Sequence, residues 1–73
     1  SSKRNANVSF ARQISMYVVR EITQMPMVEI GKEFGGRDHS TVVYAIQQLE
    51  EKSARDPVTK ATVSDIIKNI RDR

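Results

Sequence analysis

Two adjacent glycines, Gly35 and Gly36, stand between two segments whose apolar residues recur at three- and four-residue steps. Glycine takes positive φ without a steric cost, so the pair predicts a tight turn where one helix ends and the chain changes direction. Upstream, Met27, Ile30 and Phe34 mark one face of a short helix at about residues 27–34, in which Gly31 leaves room for a close neighbour. Downstream, Asp38 is placed to cap a third helix whose face is Val42, Ala45, Ile46 and Leu49, running to about Ser53. The two prolines set the remaining boundaries. Met25-Pro26 ends a first helix that starts near Ser9 as its N-cap and carries Phe10, Ile14, Tyr17, Val18 and Ile22. Asp56-Pro57 opens a fourth, with Val63, Ile66, Ile67 and Ile70 as its buried stripe. With no strand pattern, repeat or low-complexity tract, the expected fold is all-α, a small bundle containing a helix-turn-helix.

A chain of 73 residues with 38% hydrophobic content fits one small domain, too small for a large enclosed active-site cavity. Its charge is unevenly spread. The net +3 comes from the first third, where Lys3, Arg4, Arg12 and Arg20 precede any acid, whereas the stretch after Leu49 mixes both signs as a solvated helical surface does. Residues 1–8, "SSKRNANV", show no periodicity and read as a flexible basic arm, with the helix-turn-helix domain in 9–73. The lack of cysteine excludes disulfides and thiolate metal sites, and no apolar run reaches membrane-spanning length. These features are expected of a soluble, cytoplasmic protein. A start at Ser1 rather than Met is expected of a piece excised from something larger.

In a helix-turn-helix the second helix enters the major groove of DNA by its N-terminal end. Here that first turn carries Asp38, His39, Ser40 and Thr41, short groups suited to base edges and phosphates, with the positive end of the helix dipole beside them. The same three types make up a hydrolytic triad, but neighbours on one helix point about 100° apart and cannot line up a Ser-to-His-to-Asp relay. The glycines lack the spacing and Lys-Ser/Thr ending of a phosphate-binding loop. His39, the one histidine, cannot assemble a metal site alone. Tyr17, Tyr44, Phe10 and Phe34 read as core or core edge. No catalysis is expected. Rival readings are a protein-binding helical module and a helix-turn-helix transcription regulator; a dimeric regulator would prefer palindromic sites.

The run "IGKEFGGRDHSTVVYAIQQLE", from Ile30 to Glu50, closely resembles the signature of the C-terminal DNA-binding domain of DnaA, the bacterial chromosomal replication initiator, and the likeness extends back through "ARQISMYVVREIT". The resemblance implies the fold of that domain and binding of double-stranded DNA as a monomer per site, at short AT-rich boxes of the replication origin in the bacterial nucleoid. It places Asp38, His39 and Ser40 at base edges in the major groove and Arg4 in the minor groove. Near the phosphate backbone it places Arg12, Gln13, Arg20, Arg37 and Thr41, together with backbone groups of Met27 and Val28. Three departures stand out. Ser40 replaces the usual threonine and so lacks a methyl for a thymine. Gln48 stands at a commonly basic backbone-contact position. A further helix and an ATP-binding motor domain, which precede this region in the family, are not in the sequence, so no cofactor is expected here.

Overall fold

The computed structural model describes the backbone of residues 2–73 and the side chains of residues 7–73. Among them there are four helices and no strand: α1 (Ser2–Thr23), α2 (Met27–Glu33), α3 (His39–Arg55) and α4 (Pro57–Arg71). At about 1.5 Å rise per residue, the 22 residues of α1 span about 33 Å, which matches the longest extent of the molecule, 33 Å. α3 is the centre. It packs against α1, α2 and α4, while α1 also touches α2 and α4.

The core has two parts joined through α1 and α3. Met16, Ile30, Val42, Ala45 and Ile46 form one cluster, beneath Val19, Met25, Met27 and Phe34. Val18, Leu49 and Val63 form the other, flanked by Phe10, Ile14, Ile22, Ile66 and Ile67, and Tyr17 borders both. Met16, Ile30, Val42 and Leu49 are wholly shielded from solvent, each contributing about 1.5–3 kcal/mol of transfer free energy. Phe10 lies at the edge with Lys52 Nζ 4.0 Å from its ring centroid, a cation–π contact. Tyr17 is likewise an edge residue, and partial burial raises its phenol pKa, helped by the carboxylates of Glu21 and Glu50.

The α3 face Val42-Ala45-Ile46-Leu49 is buried as its spacing predicts. Several expectations are corrected. The first helix does not start at Ser9; α1 already runs through the positions read as an irregular arm, and Asn7, Val8 and Ser9 are exposed. This segment has no glycine or proline to break a helix. Met16, outside the expected stripe, is a core centre because α1 faces α2 and α4 on different sides. Tyr44 is 63% exposed and Ile70 41%, so neither belongs to the core. Ile70 lies in the last turn of α4, past the buried Val63 and half-buried Ile66 and Ile67. α3 continues two residues past Ser53, to Arg55.

Each of the last two helices is capped by the aspartate before it. Asp38 Oδ1 accepts from the Thr41 N–H at 2.9 Å; Asp56 accepts from the Val58 N–H at 3.1 Å and, through Oδ2, from the Thr59 hydroxyl at 2.7 Å. These bonds favour the ionised forms. The Thr41 backbone N–H is the main cause holding the Asp38 carboxyl below its ordinary pKa, and the Thr59 hydroxyl does the same for Asp56.

The turn between α2 and α3 depends on glycine in two ways. Gly35 and Gly36 take φ of +87° and +77°, with open space where a Cβ would stand. At Gly31 the constraint is contact. A Cβ there would collide with the carbonyl oxygen of Arg37 and meet Val42 Cγ2 at 3.4 Å. The Arg37 N–H donates to Gly31 O at 2.9 Å, so the turn folds back on α2 at this residue.

Gly31→Ala should therefore cost about 3 kcal/mol, the upper end for overpacking, against about 1 kcal/mol for Gly35→Ala, where only the left-handed backbone is penalised. Urea denaturation ranks the two, and an equal or smaller loss at Gly31 would refute the close approach. The caps give a pH dependence. Because both folded-state pKa values lie below those of the unfolded chain, their stabilisation is complete above the ordinary carboxylate pKa of about 4 and is lost as pH falls through and below it. Asp38→Asn, which still accepts from Thr41 but does not titrate, should flatten this acid limb in thermal unfolding; an unaltered limb would exclude Asp38 as a contributor.

Candidate nucleic-acid interface

From Gly35 to Thr41 every residue is exposed. That run contains the glycine turn, the Arg37 side chain, the Asp38 cap and the first turn of α3. Its backbone is nonetheless fixed, by the Arg37 N–H on Gly31 and by Asp38 on Thr41. Val42 then drops into the core with no exposure. The result is a rigid, solvent-facing helix start presenting His39 and Ser40 beside the unpaired second oxygen of Asp38. Asp38 remains anionic at neutral pH, since its pKa is depressed. A carboxylate there accepts hydrogen bonds and cannot hold a phosphate, which suits it to a cytosine amino group.

The other expected contact residues fall into groups. Arg12 and Gln13 are half-buried on α1, and Gln48 is half-buried on α3. Arg37 and Thr41 are exposed next to the helix start. Among the described residues the only ion pair joins Lys32 Nζ to Glu29 Oε1 at 3.4 Å, so neither Arg12 nor Arg37 is neutralised by an acid. Pro26 is the N-cap of α2 and supplies no side-chain acceptor, while Met27 is half-buried and Val28 is 49% exposed. The Arg4 side chain, expected in the minor groove, lies outside the described residues.

Arg20 differs from the other cations. Its guanidinium already donates within the protein, from Nη1 to Met25 O at 2.6 Å and to Gln24 O at 3.3 Å. The sequence pattern that puts Arg12 and Arg20 on one side of α1 carries no sign of this, because the two carbonyls belong to the linker after the helix.

Tyr44 is the residue that sequence reasoning misplaced. It follows Val42 by two steps, about 200° around the helix, and so points away from the core. Ser40, one turn earlier, and Gln47, one turn later, are exposed on the same side. Measuring the angle from the apolar stripe would have found it; treating aromatics as core by default did not. A shallow depression of about 330 Å³ between α1, α3 and α4, lined by Tyr17, Glu50, Ser53, Lys60 and Ser64 among others, shares no residue with this surface.

Among the described residues, no three His, Asp or Glu side chains come together as metal ligands, and no helix is long and apolar enough to cross a membrane. No solved structure matches this chain. The family model described as the bacterial dnaA protein helix-turn-helix matches residues 1–49 of the 73. That stretch takes in α1, α2, the glycine turn and most of α3, and leaves α4 outside. With its two-helix unit and exposed helix start inside the matched region, the chain belongs to the bacterial DnaA helix-turn-helix family and is a DNA-binding module.

Proposed function

We propose that the domain reads a short AT-rich box in double-stranded DNA at a bacterial replication origin, one copy per box, and so serves initiation of chromosome replication. The observation that carries this reading is the start of α3, fully exposed yet locked by the Gly31–Arg37 contact and the Asp38 cap. A reading head must be accessible and rigid together, because a loose one loses discrimination to conformational entropy.

In this reading Asp38, His39 and Ser40 meet base edges in the major groove, and Arg4 meets the minor groove, where a narrow AT-rich tract strengthens the negative potential. Arg12, Gln13, Arg37, Thr41 and Gln48 meet the sugar-phosphate backbone, joined by the backbone amides of Met27 and Val28. Gln48 contributes only a neutral hydrogen bond, and Ser40 brings no methyl to a thymine. Arg20 belongs to the same backbone set, through its charge and the donors that the Nη1 bonds to Gln24 O and Met25 O leave free. The domain performs no chemistry of its own. ATP acts on a motor domain outside this sequence, and the work takes place in the cytoplasm at the nucleoid.

Two substitutions separate base reading from charge. His39→Ala should lose about 1–3 kcal/mol on the cognate box and little on a scrambled duplex of equal composition, as measured by fluorescence anisotropy. Equal losses on both would mean that His39 does not read sequence. Arg12→Ala should weaken both duplexes and reduce the slope of log K against log salt by about 0.9. A slope that stays the same removes Arg12 from the phosphate contacts.

A further inference from the structure

α1 ends in a way that its sequence does not announce. Gln24 follows the last helical residue with φ of +59°, the left-handed region, and is the only non-glycine there among the described residues. Residues with a Cβ avoid that region because the Cβ crowds the following carbonyl. Its N–H donates to Arg20 O at 2.9 Å, closing the last turn of the helix. Only Gln24, Met25 and Pro26 then separate α1 from α2, so the conformation of Gln24 sets the direction in which α2 departs.

The surrounding groups converge on this bend. The Thr23 hydroxyl donates to Val19 O at 2.6 Å and accepts from the Met25 N–H at 3.1 Å, and Gln24 Nε2 donates to Glu21 O at 3.0 Å. Arg71 Nη2, from the end of α4, donates to the same Glu21 oxygen at 3.2 Å. Met25 packs on the cluster of Met16, Ile30 and Val42. The linker carbonyls of Gln24 and Met25 both point at one side chain, Arg20, whose Nη1 reaches them at 3.3 and 2.6 Å. A cation here also complements the negative end of the α1 dipole.

We propose that Arg20 is a positioning residue: its guanidinium holds the left-handed bend after α1 and so fixes how α2, the glycine turn and α3 are aimed. This rests on the DNA-binding reading for its functional consequence, but not for its structural one. The guanidinium is charged, planar and able to donate to two carbonyls at once, which makes these bonds stronger than neutral ones. Removing it leaves the unfavourable φ to be held by the weaker neutral bonds of Thr23 and Gln24 alone.

Amide hydrogen exchange on the free protein and DNA titrations test the assignment together. Arg20→Met keeps the aliphatic stem and deletes the donors. It should speed exchange at Gln24, Met25 and Met27 by about tenfold or more, the worth of a charge-assisted bond, while Arg12→Ala leaves those amides as they were. On the AT-rich duplex it should weaken binding about tenfold. Adding Gln24→Gly, which relieves the left-handed strain, should restore part of that loss. Unchanged exchange, or failure of Gln24→Gly to rescue binding, would each overturn the proposal. Should the unsubstituted chain not prefer the box, the origin reading falls, and the exchange data still decide the role of Arg20.

Discussion

The close approach of the Arg37 carbonyl to Gly31, where a Cβ would collide with it, governs the rest. Because nothing projects from Gly31, the chain leaving α2 can double back onto it and donate a hydrogen bond to its carbonyl at the same point. The neighbouring glycines permit the reversal; Gly31 fixes its tightness. Val42 Cγ2 closes on the same residue from α3, so one position welds both helices and the turn into a single body. That body presents the first turn of α3. Any side chain at Gly31 would tilt the reading helix before it disturbed the distant cluster of Val18, Leu49 and Val63.

Asp38 shows how one carboxylate can serve stability beside a polyanion. One oxygen is committed to Thr41, which depresses the pKa and keeps the group charged. The positive end of α3 offsets that charge, as do the unpaired guanidinium of Arg37 one residue earlier and the other cations around the face. Under the proposed reading, repulsion from phosphate is thus local and directional: it keeps the acid off the backbone and turns it toward the groove. The mixed charges of α4 play no part in this, which fits with the family match ending before that helix.

The sequence was most legible where backbone chemistry leaves few choices. Pro26, Pro57, the glycine pair and the two aspartate caps located three helix starts correctly, and the apolar spacing of α3 identified its buried face residue by residue. It was least legible where a residue's role depends on partners distant in space. Met16 sits between two stripes and is central only because α1 is gripped from two sides. Tyr44 is aromatic yet outward, Ile70 is exposed in the last turn of α4, and the early turns of α1 are helical without an apolar stripe. Gln24 gives no hint of a left-handed residue, since the cause lies in Arg20 and the linker. For the candidate interface, the exposure of Arg37 to Thr41 and the Asp38 cap followed from the turn chemistry, whereas the groove contacts themselves came from the family likeness.

Under the proposed reading α3 must resist the torque of its own DNA contacts, and it can do so because it lies at the centre of the fold. Its inner face touches α2 through Val42, Ala45 and Ile46, and α1 and α4 through Leu49, so each turn is braced by a different partner. The outer face, with Ser40, Tyr44 and Gln47, carries none of that packing and is free to vary in sequence at little cost to stability. Separating the two faces lets a domain of 73 residues, with only four side chains wholly shielded, hold a recognition element still. The weak point is then the three-residue joint between α1 and α2, in which only Met25 packs on the apolar cluster. There polar bonds to Arg20, Thr23 and Gln24 take over from burial, and the aim of the reading helix is set as much by those few hydrogen bonds as by the core.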